Sequence, residues 1–344
     1  MAATPFPTDK GGEWQWVDVE GTRCMSGKQT GVWIRNSKSG NKNFAIYFNG
    51  GGACWNSITC ATAESDPKSG RPGSNGVFAF RTDNPVNDYN WMAVPYCTGD
   101  VHAGDTQGTS GATKGRYFSG ISNLKLMLER AVATYSNVET LFVTGESAGG
   151  FGAVTTYATT RSFFPHARGV LMDDSGPVID DNDLAVCLQQ EWRQAWDLNK
   201  NLPKDCTCNN ENGNMVTAWA YVKHKWPVDS FSLISSVNDA TISTFFAFGL
   251  HNCKTILPVG YNKIHPGLED LAKRGTPVYM IPGAGHTHTS GDEFYSRVVA
   301  GQALYKWIAQ LVDPNQPDPP TVRPTAEDYW REENQNITSL NVVV

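Results

Sequence analysis

The chain has 344 residues, 40% of them hydrophobic, enough for a sizeable buried core in one or two domains. Its net charge of −6, without any long run of Lys or Arg, argues against a nucleic-acid partner. No stretch of about 18 apolar residues is present to span a bilayer, and the opening M-A-A-T-P-F-P-T-D-K lacks the basic start and apolar centre of a signal peptide.

Eight cysteines, Cys24, Cys54, Cys60, Cys97, Cys187, Cys206, Cys208 and Cys253, form an even set, as expected for disulfides made in an oxidising compartment. Export to the cell exterior or a periplasm is therefore expected, any signal peptide no longer being part of the sequence. Cys54 and Cys60 are close enough to form a local pair. Cys24 and Cys97 belong to the N-terminal half, and the remaining four surround a later insertion. A zinc set built on Cys187, Cys206 and Cys208 is the competing reading, disfavoured because zinc-ligand pairs usually leave two or more residues between them. No metal or other cofactor is expected.

Strand and helix patterns alternate along the chain. N-F-A-I-Y-F (43–48) is an apolar run halted by N-G-G-G, the mark of a buried strand. W-M-A-V-P-Y (91–96) predicts another. The spacing of Leu124, Leu128 and Ala131 predicts a helix over 122–135, with Ser119 or Ser122 as its cap. E-T-L-F-V-T (139–144) predicts a strand that runs into T-G-E-S-A-G-G (144–150), and the following F-G-A-V-T-T-Y-A-T-T-R-S-F-F predicts a helix. G-V-L-M-D-D (169–174) and T-P-V-Y-M-I-P (276–282) predict further strands, and 292–311 a closing amphipathic helix. Such alternation implies an α/β fold, a mostly parallel sheet with helices on both faces. Residues 180–230, with their tryptophans, Asn-rich stretch and three cysteines, break the rhythm as a helical insertion over the site. The Pro-rich tail, 313–344, is predicted to run extended along the surface. With no internal repeat and no second core, 1–344 reads as one domain, expected to be a monomer.

Ser147 stands between Gly145 and Gly149. In a G-x-S-x-G pattern between a strand and a helix, the sharp turn lifts the serine hydroxyl above the sheet edge, and here a strand precedes and a helix follows. The competing reading is an idle serine in a glycine-rich turn. A serine needs a base to take its proton and a carboxylate to fix that base, in the chain order Ser, acid, His. His286 and His288 sit in P-G-A-G-H-T-H-T, a glycine-rich loop after the last strand. His286 is the choice for the base and His288 the runner-up, whereas His166, His224, His251 and His265 read as surface or structural residues. Asp239, after the strand-like F-S-L-I-S-S, is favoured as the acid, with Asp173 and Asp174 at the end of another strand as alternatives. An oxyanion needs backbone N–H donors. Ala148 supplies one, and Gly51 and Gly52 in F-N-G-G-G-A-C-W (48–55) supply others, because glycine lets the backbone approach a substrate oxygen. The same glycines do not make a nucleotide-binding loop, since neither G-x-G-x-x-G opening a helix nor a P-loop pattern occurs.

Y-F-N-G-G-G-A-C-W, V-P-Y-C-T-G-D-V-H-A-G-D (94–105), T-G-E-S-A-G-G-F-G-A, D-D-S-G-P and V-N-D-A-T together resemble the pectin acetylesterase/Notum family of serine hydrolases, from about Gly31 to Leu311. The resemblance implies an α/β-hydrolase-type fold, metal-free ester hydrolysis and a triad that falls on Ser147, Asp239 and His286, with oxyanion donors at Gly51, Gly52 and Ala148. The D-V-H-A-G block resembles the family's D-V-x-x-G segment near the site, so Asp100 and His102 are read as site-shaping residues, with a purely structural role as the alternative, and Trp55 beside the glycine loop is a further site-shaping candidate. The animal Notum branch carries a tryptophan directly after its glycine pair, where this chain has Gly52, so lipid-chain removal does not carry over. The expected substrate is an ester, an acetylated polysaccharide such as pectin. A polyester such as a hydroxyalkanoate, or a general carboxylic ester, is the alternative, suited to the eleven tryptophans. The net charge argues mildly against an extended polyanion cleft. A catalytically silent carbohydrate-binding protein is the non-enzyme alternative.

Overall fold

The apolar runs of the sequence lie side by side in one eight-stranded sheet in a computed structural model, which describes residues 3–340 apart from 64–65, 211, 251–252 and 254–259. His251 falls outside the described residues. The strands are β1 (Gln15–Asp18), β2 (Gly31–Arg35), β3 (Phe44–Phe48), β4 (Asn90–Val94), β5 (Thr140–Glu146), β6 (Arg168–Asp174), β7 (Ser230–Ser236) and β8 (Val278–Ile281). Their order is β1-β2-β4-β3-β5-β6-β7-β8. From β4 to β8 all neighbours are parallel, and at one edge β2 pairs antiparallel with both β1 and β4. Strands β3, β4, β7 and β8 are buried along their whole length, as a parallel sheet covered on both faces requires.

Two cores follow, one on each face. The larger holds Ile46, Val143 and Leu171 under helices α1 (Gly120–Thr134) and α2 (Ala148–Phe163). The other packs Tyr47, Phe142 and Tyr279 against Trp307 of a later helix. Neither Ser119 nor Ser122 caps α1: Ser119 stands at the N-cap position without a capping bond, and the Ser122 hydroxyl donates to Asp105 instead.

The segment between β6 and β7 carries several helices, of which α3 (Val186–Trp196) and α4 (Thr217–Lys225) are the longer. Helix α5 (Ala240–Phe246) follows β7, and α6 (Ile264–Lys273) precedes β8. The helix predicted over 292–311 is not continuous. Val298–Val299 and Gln302–Ala303 pair antiparallel around Ala300 and Gly301, both at positive φ, and only Leu304–Val312 forms a long helix, α7. The β-branched pair and the A-G turn outweigh the helical spacing there. The tail is extended only as far as Thr325, since Ala326–Leu340 is helical (α8), its start fixed by Asp328, which accepts from the Thr325 amide and hydroxyl at 2.8 Å each.

All eight cysteines are paired: Cys24–Cys97, Cys54–Cys60, Cys187–Cys253 and Cys206–Cys208. The three thiols of the alternative zinc set are therefore each committed to a disulfide. Among the described residues no helix is long and apolar enough to cross a membrane.

Candidate active site

Strand β5 delivers Ser147 to the top of the sheet, and α2 starts at the next residue. Ser147 has φ 57° and ψ −121°, a conformation that L-residues avoid unless the surroundings impose it. The neighbouring glycines make it attainable. A Cβ on Gly145 would lie 2.3 Å from the Gly149 carbonyl oxygen, and one on Gly149 would lie 2.0 Å from that of Phe48. The Ser147 amide donates to the Asp174 carbonyl at 2.8 Å, which ties the turn to the next strand.

Beyond β7 and β8 the two chain segments keep running together. The amides of Val237, Asn238 and Ala240 donate to the carbonyls of Ile281, Gly283 and Ala284. This continued pairing brings His286 to Asp239: Nδ1 lies 2.7 Å from Oδ2 of the fully buried carboxylate. Nδ1 must be the donor, because an ionised carboxylate only accepts, and Nε2 is left as the basic nitrogen. Ser147, His286, Gly51 and Gly52 line one open cleft, with Glu146 and Thr287 at its side.

The runner-up histidine and the alternative acids have other tasks. His288 is buried, its Nε2 is 3.0 Å from the Ser236 hydroxyl, and burial lowers its pKa. Asp174 accepts from the amides of His288 and Thr289 and from the Thr289 hydroxyl, which holds the histidine loop, and also from the hydroxyl of its neighbour Ser175. Asp173 is buried beside it, bonded to the Gly176 amide, and burial pushes its carboxyl well above the usual range. His166 and His224 are exposed, and His265 is half-buried beside Glu269.

The glycine loop after β3 is anchored at both ends. Asn49 donates its amide to the Val94 carbonyl, and Cys54 donates its own to Gly99. The Asn49 carbonyl accepts from His102 Nε2 at 2.9 Å, which requires the Nε2–H tautomer. His102 packs against the rings of Phe48 and Tyr96, and burial lowers its pKa to about 4. Asp100 accepts from the Thr98 hydroxyl and from the amides of His102 and Gly120, and burial raises its pKa to about 6. Both residues thus act on the loop from behind. Among the described residues the amides of Gly51, Gly52 and Ala148 donate to no protein acceptor.

Next to Ser147 an apolar cavity opens between the sheet and the insertion. Trp55, Phe151, Trp192, Trp196, Phe245 and Phe246 are among its lining residues. Trp55 meets Trp192 edge-on at 5.8 Å, and Trp196 donates its indole N–H to the Cys54 carbonyl at 2.7 Å, so the insertion is pinned to the glycine loop. No local motif in the sequence points to Phe151, Phe245 or Phe246, which reach this cavity only through the fold.

A family model described as pectinacetylesterase matches residues 15–255. The chain belongs to the pectinacetylesterase family. Pectin acetylesterase 11 of Arabidopsis thaliana is 26% identical over 206 residues, covering 55% of this chain and 52% of that protein. A palmitoleoyl-protein carboxylesterase, notum2 of Xenopus laevis, is 28% identical over 144 residues, covering 38% of this chain and 28% of that protein. The chain thus spans at most about half the length of these relatives. The solved structure of the Wnt deacylase Notum from Drosophila superposes with a TM-score of 0.68 at 18% identity, covering 87% of this chain and 92% of that one. This chain therefore has the same α/β-hydrolase-type fold as that structure.

Proposed function

We propose that this protein is a serine carboxylic-ester hydrolase. The observation that carries the proposal is the convergence of Ser147, on its strained strand-to-helix turn, and the Asp239-bound His286 on one cleft. His286 Nε2 takes the Ser147 proton, the alkoxide attacks the ester carbonyl, and the resulting imidazolium is stabilised by Asp239. The free amides of Gly51, Gly52 and Ala148 hold the oxyanion. The alcohol leaves with the proton from His286, and water activated by the same nitrogen hydrolyses the acyl-enzyme, so serine and histidine end as they began.

The substrate that family membership favours is an acetyl ester on a polysaccharide such as pectin, acted on in an oxidising, extracytoplasmic compartment that suits four disulfides. The aromatic cavity beside Ser147 favours a second reading, a bulkier apolar acyl group as in a polyester or a general carboxylic ester. One experiment tests the chemistry and separates the substrates. Purified protein is labelled with a fluorophosphonate and assayed on acetylated pectin, acetylated xylan, p-nitrophenyl esters of rising chain length and hydroxybutyrate oligomers. Absence of a Ser147 adduct, or full turnover by Ser147→Ala, would refute ester hydrolysis at this site.

A further inference from the structure

Glu146 is the residue before the nucleophile, and it ends β5 in register with Asp174 at the end of β6. These two carboxylates reach the same loop from neighbouring strands. Asp174 takes the backbone amides of His288 and Thr289. Glu146 takes side chains: its Oε2 accepts from the Thr287 hydroxyl at 3.2 Å and from the Ser290 hydroxyl at 3.0 Å. Thr287 is the immediate neighbour of His286. Glu146 cannot swing away without abandoning both of these hydroxyls. Asp239 fixes the rotation of the imidazole through Nδ1, but it does not fix where the loop stands relative to Ser147. Asp174 ties Ser147 to the loop through its backbone carbonyl and the His288 and Thr289 amides, whereas Glu146 joins the residue before the nucleophile to Thr287, the residue after the base.

We infer that Glu146 is a positioning residue: it clasps the Thr287 and Ser290 hydroxyls and so sets the reach of His286 toward Ser147. The inference rests on the Ser147–His286–Asp239 reading. Because both hydroxyls donate to a single oxygen, glutamine can accept both through its carbonyl, whereas alanine accepts neither. A misplacement of about 1 Å can cost about 100-fold in rate.

The test compares wild-type protein, Glu146→Gln, Glu146→Ala and the double variant Thr287→Val/Ser290→Ala by p-nitrophenyl acetate kinetics, rate of fluorophosphonate labelling and melting temperature. Glu146→Ala and the double variant should lose about 10- to 100-fold in kcat and in labelling rate with KM within about twofold, while Glu146→Gln keeps most of both. Full kcat in Glu146→Ala overturns the inference, as does a Gln variant as slow as Ala, or a loss seen only in KM or only in parallel with melting temperature. Should Glu146→Ala fail to fold, the double variant decides. Wild-type protein that does not label at Ser147 would instead refute the underlying triad, so the two failures are distinguishable.

Discussion

Asp239 divides its two carboxylate oxygens between two partners: Oδ1 accepts from the Ile242 amide at 2.9 Å and caps α5, while Oδ2 accepts from His286 at 2.7 Å. Asparagine caps a helix about as well as aspartate does, but it cannot hold the imidazole as an acceptor and also stabilise the imidazolium. Asp239→Asn should therefore lose about 10⁴-fold in kcat with little change in thermal midpoint. Asp174→Asn should lose activity and stability together, because it frees buried amides of the histidine loop. Parallel melts and steady-state assays separate the two, and an active Asp239→Asn would remove Asp239 from the proposed triad.

Gly51 and Gly52 have different tolerances for a methyl group. A Cβ on Gly51 would sit 2.5 Å from the ring of Tyr96, which is itself buried, whereas one on Gly52 would meet the Thr62 carbonyl at 3.4 Å. Gly51→Ala should thus displace the loop and cost about 10²- to 10³-fold in kcat, the range for losing one oxyanion donor. Gly52→Ala should fold normally and lose less. Equal kinetics for the two variants would show that the Gly51 amide does not face the oxyanion.

Much of the proposed site is legible in the sequence because its residues sit at punctuation. Ser147, Gly51, Asp239 and His286 each directly follow or closely succeed an apolar run, so strand ends alone place them on one edge of a parallel sheet. What holds them is less legible. Glu146 and Asp174 act through strand register and a loop more than a hundred residues away, and no local pattern encodes that pairing. The edge strand β1 escapes notice for another reason. Gln15–Asp18 has only four residues and none of them is buried, so it carries no clear period. The 292–311 segment fails in the opposite sense, because its apolar spacing fits a helix while Ala300 and Gly301 turn the chain.

His102 makes stability depend on pH with a predictable sign. Its pKa falls from 6.5 to about 4 on folding because burial disfavours the imidazolium. Between those values the unfolded chain binds the proton and the native one does not, so stability from this group is complete above about 6.5 and declines as pH falls toward 4. Asp100, raised to about 6 from 3.8, acts in the opposite direction over an overlapping window. His102→Gln keeps a donor for the Asn49 carbonyl and removes only the histidine titration. Urea unfolding at intervals from pH 4 to 7 should show the variant less acid-sensitive than wild type, by up to about 1.4 kcal/mol per pH unit. Identical slopes would mean that His102 is not held neutral.

The acyl preference turns on Phe245, a half-buried ring that belongs to both the open cleft and the aromatic cavity. If the acyl group enters that cavity, each methylene buried there contributes about 0.8 kcal/mol, near fourfold in kcat/KM. The wild-type protein should then favour p-nitrophenyl butyrate over acetate by roughly 15-fold. Phe245→Ala removes a wall where the two spaces meet, so its preference should move to longer chains while acetate hydrolysis falls through lost packing around the small acyl group. A substrate series from two to eight carbons, measured for both proteins, checks this. Flat and superimposable chain-length profiles would show that the cavity is core packing and that the acyl group lies in the open cleft, which favours acetate as the natural leaving acid.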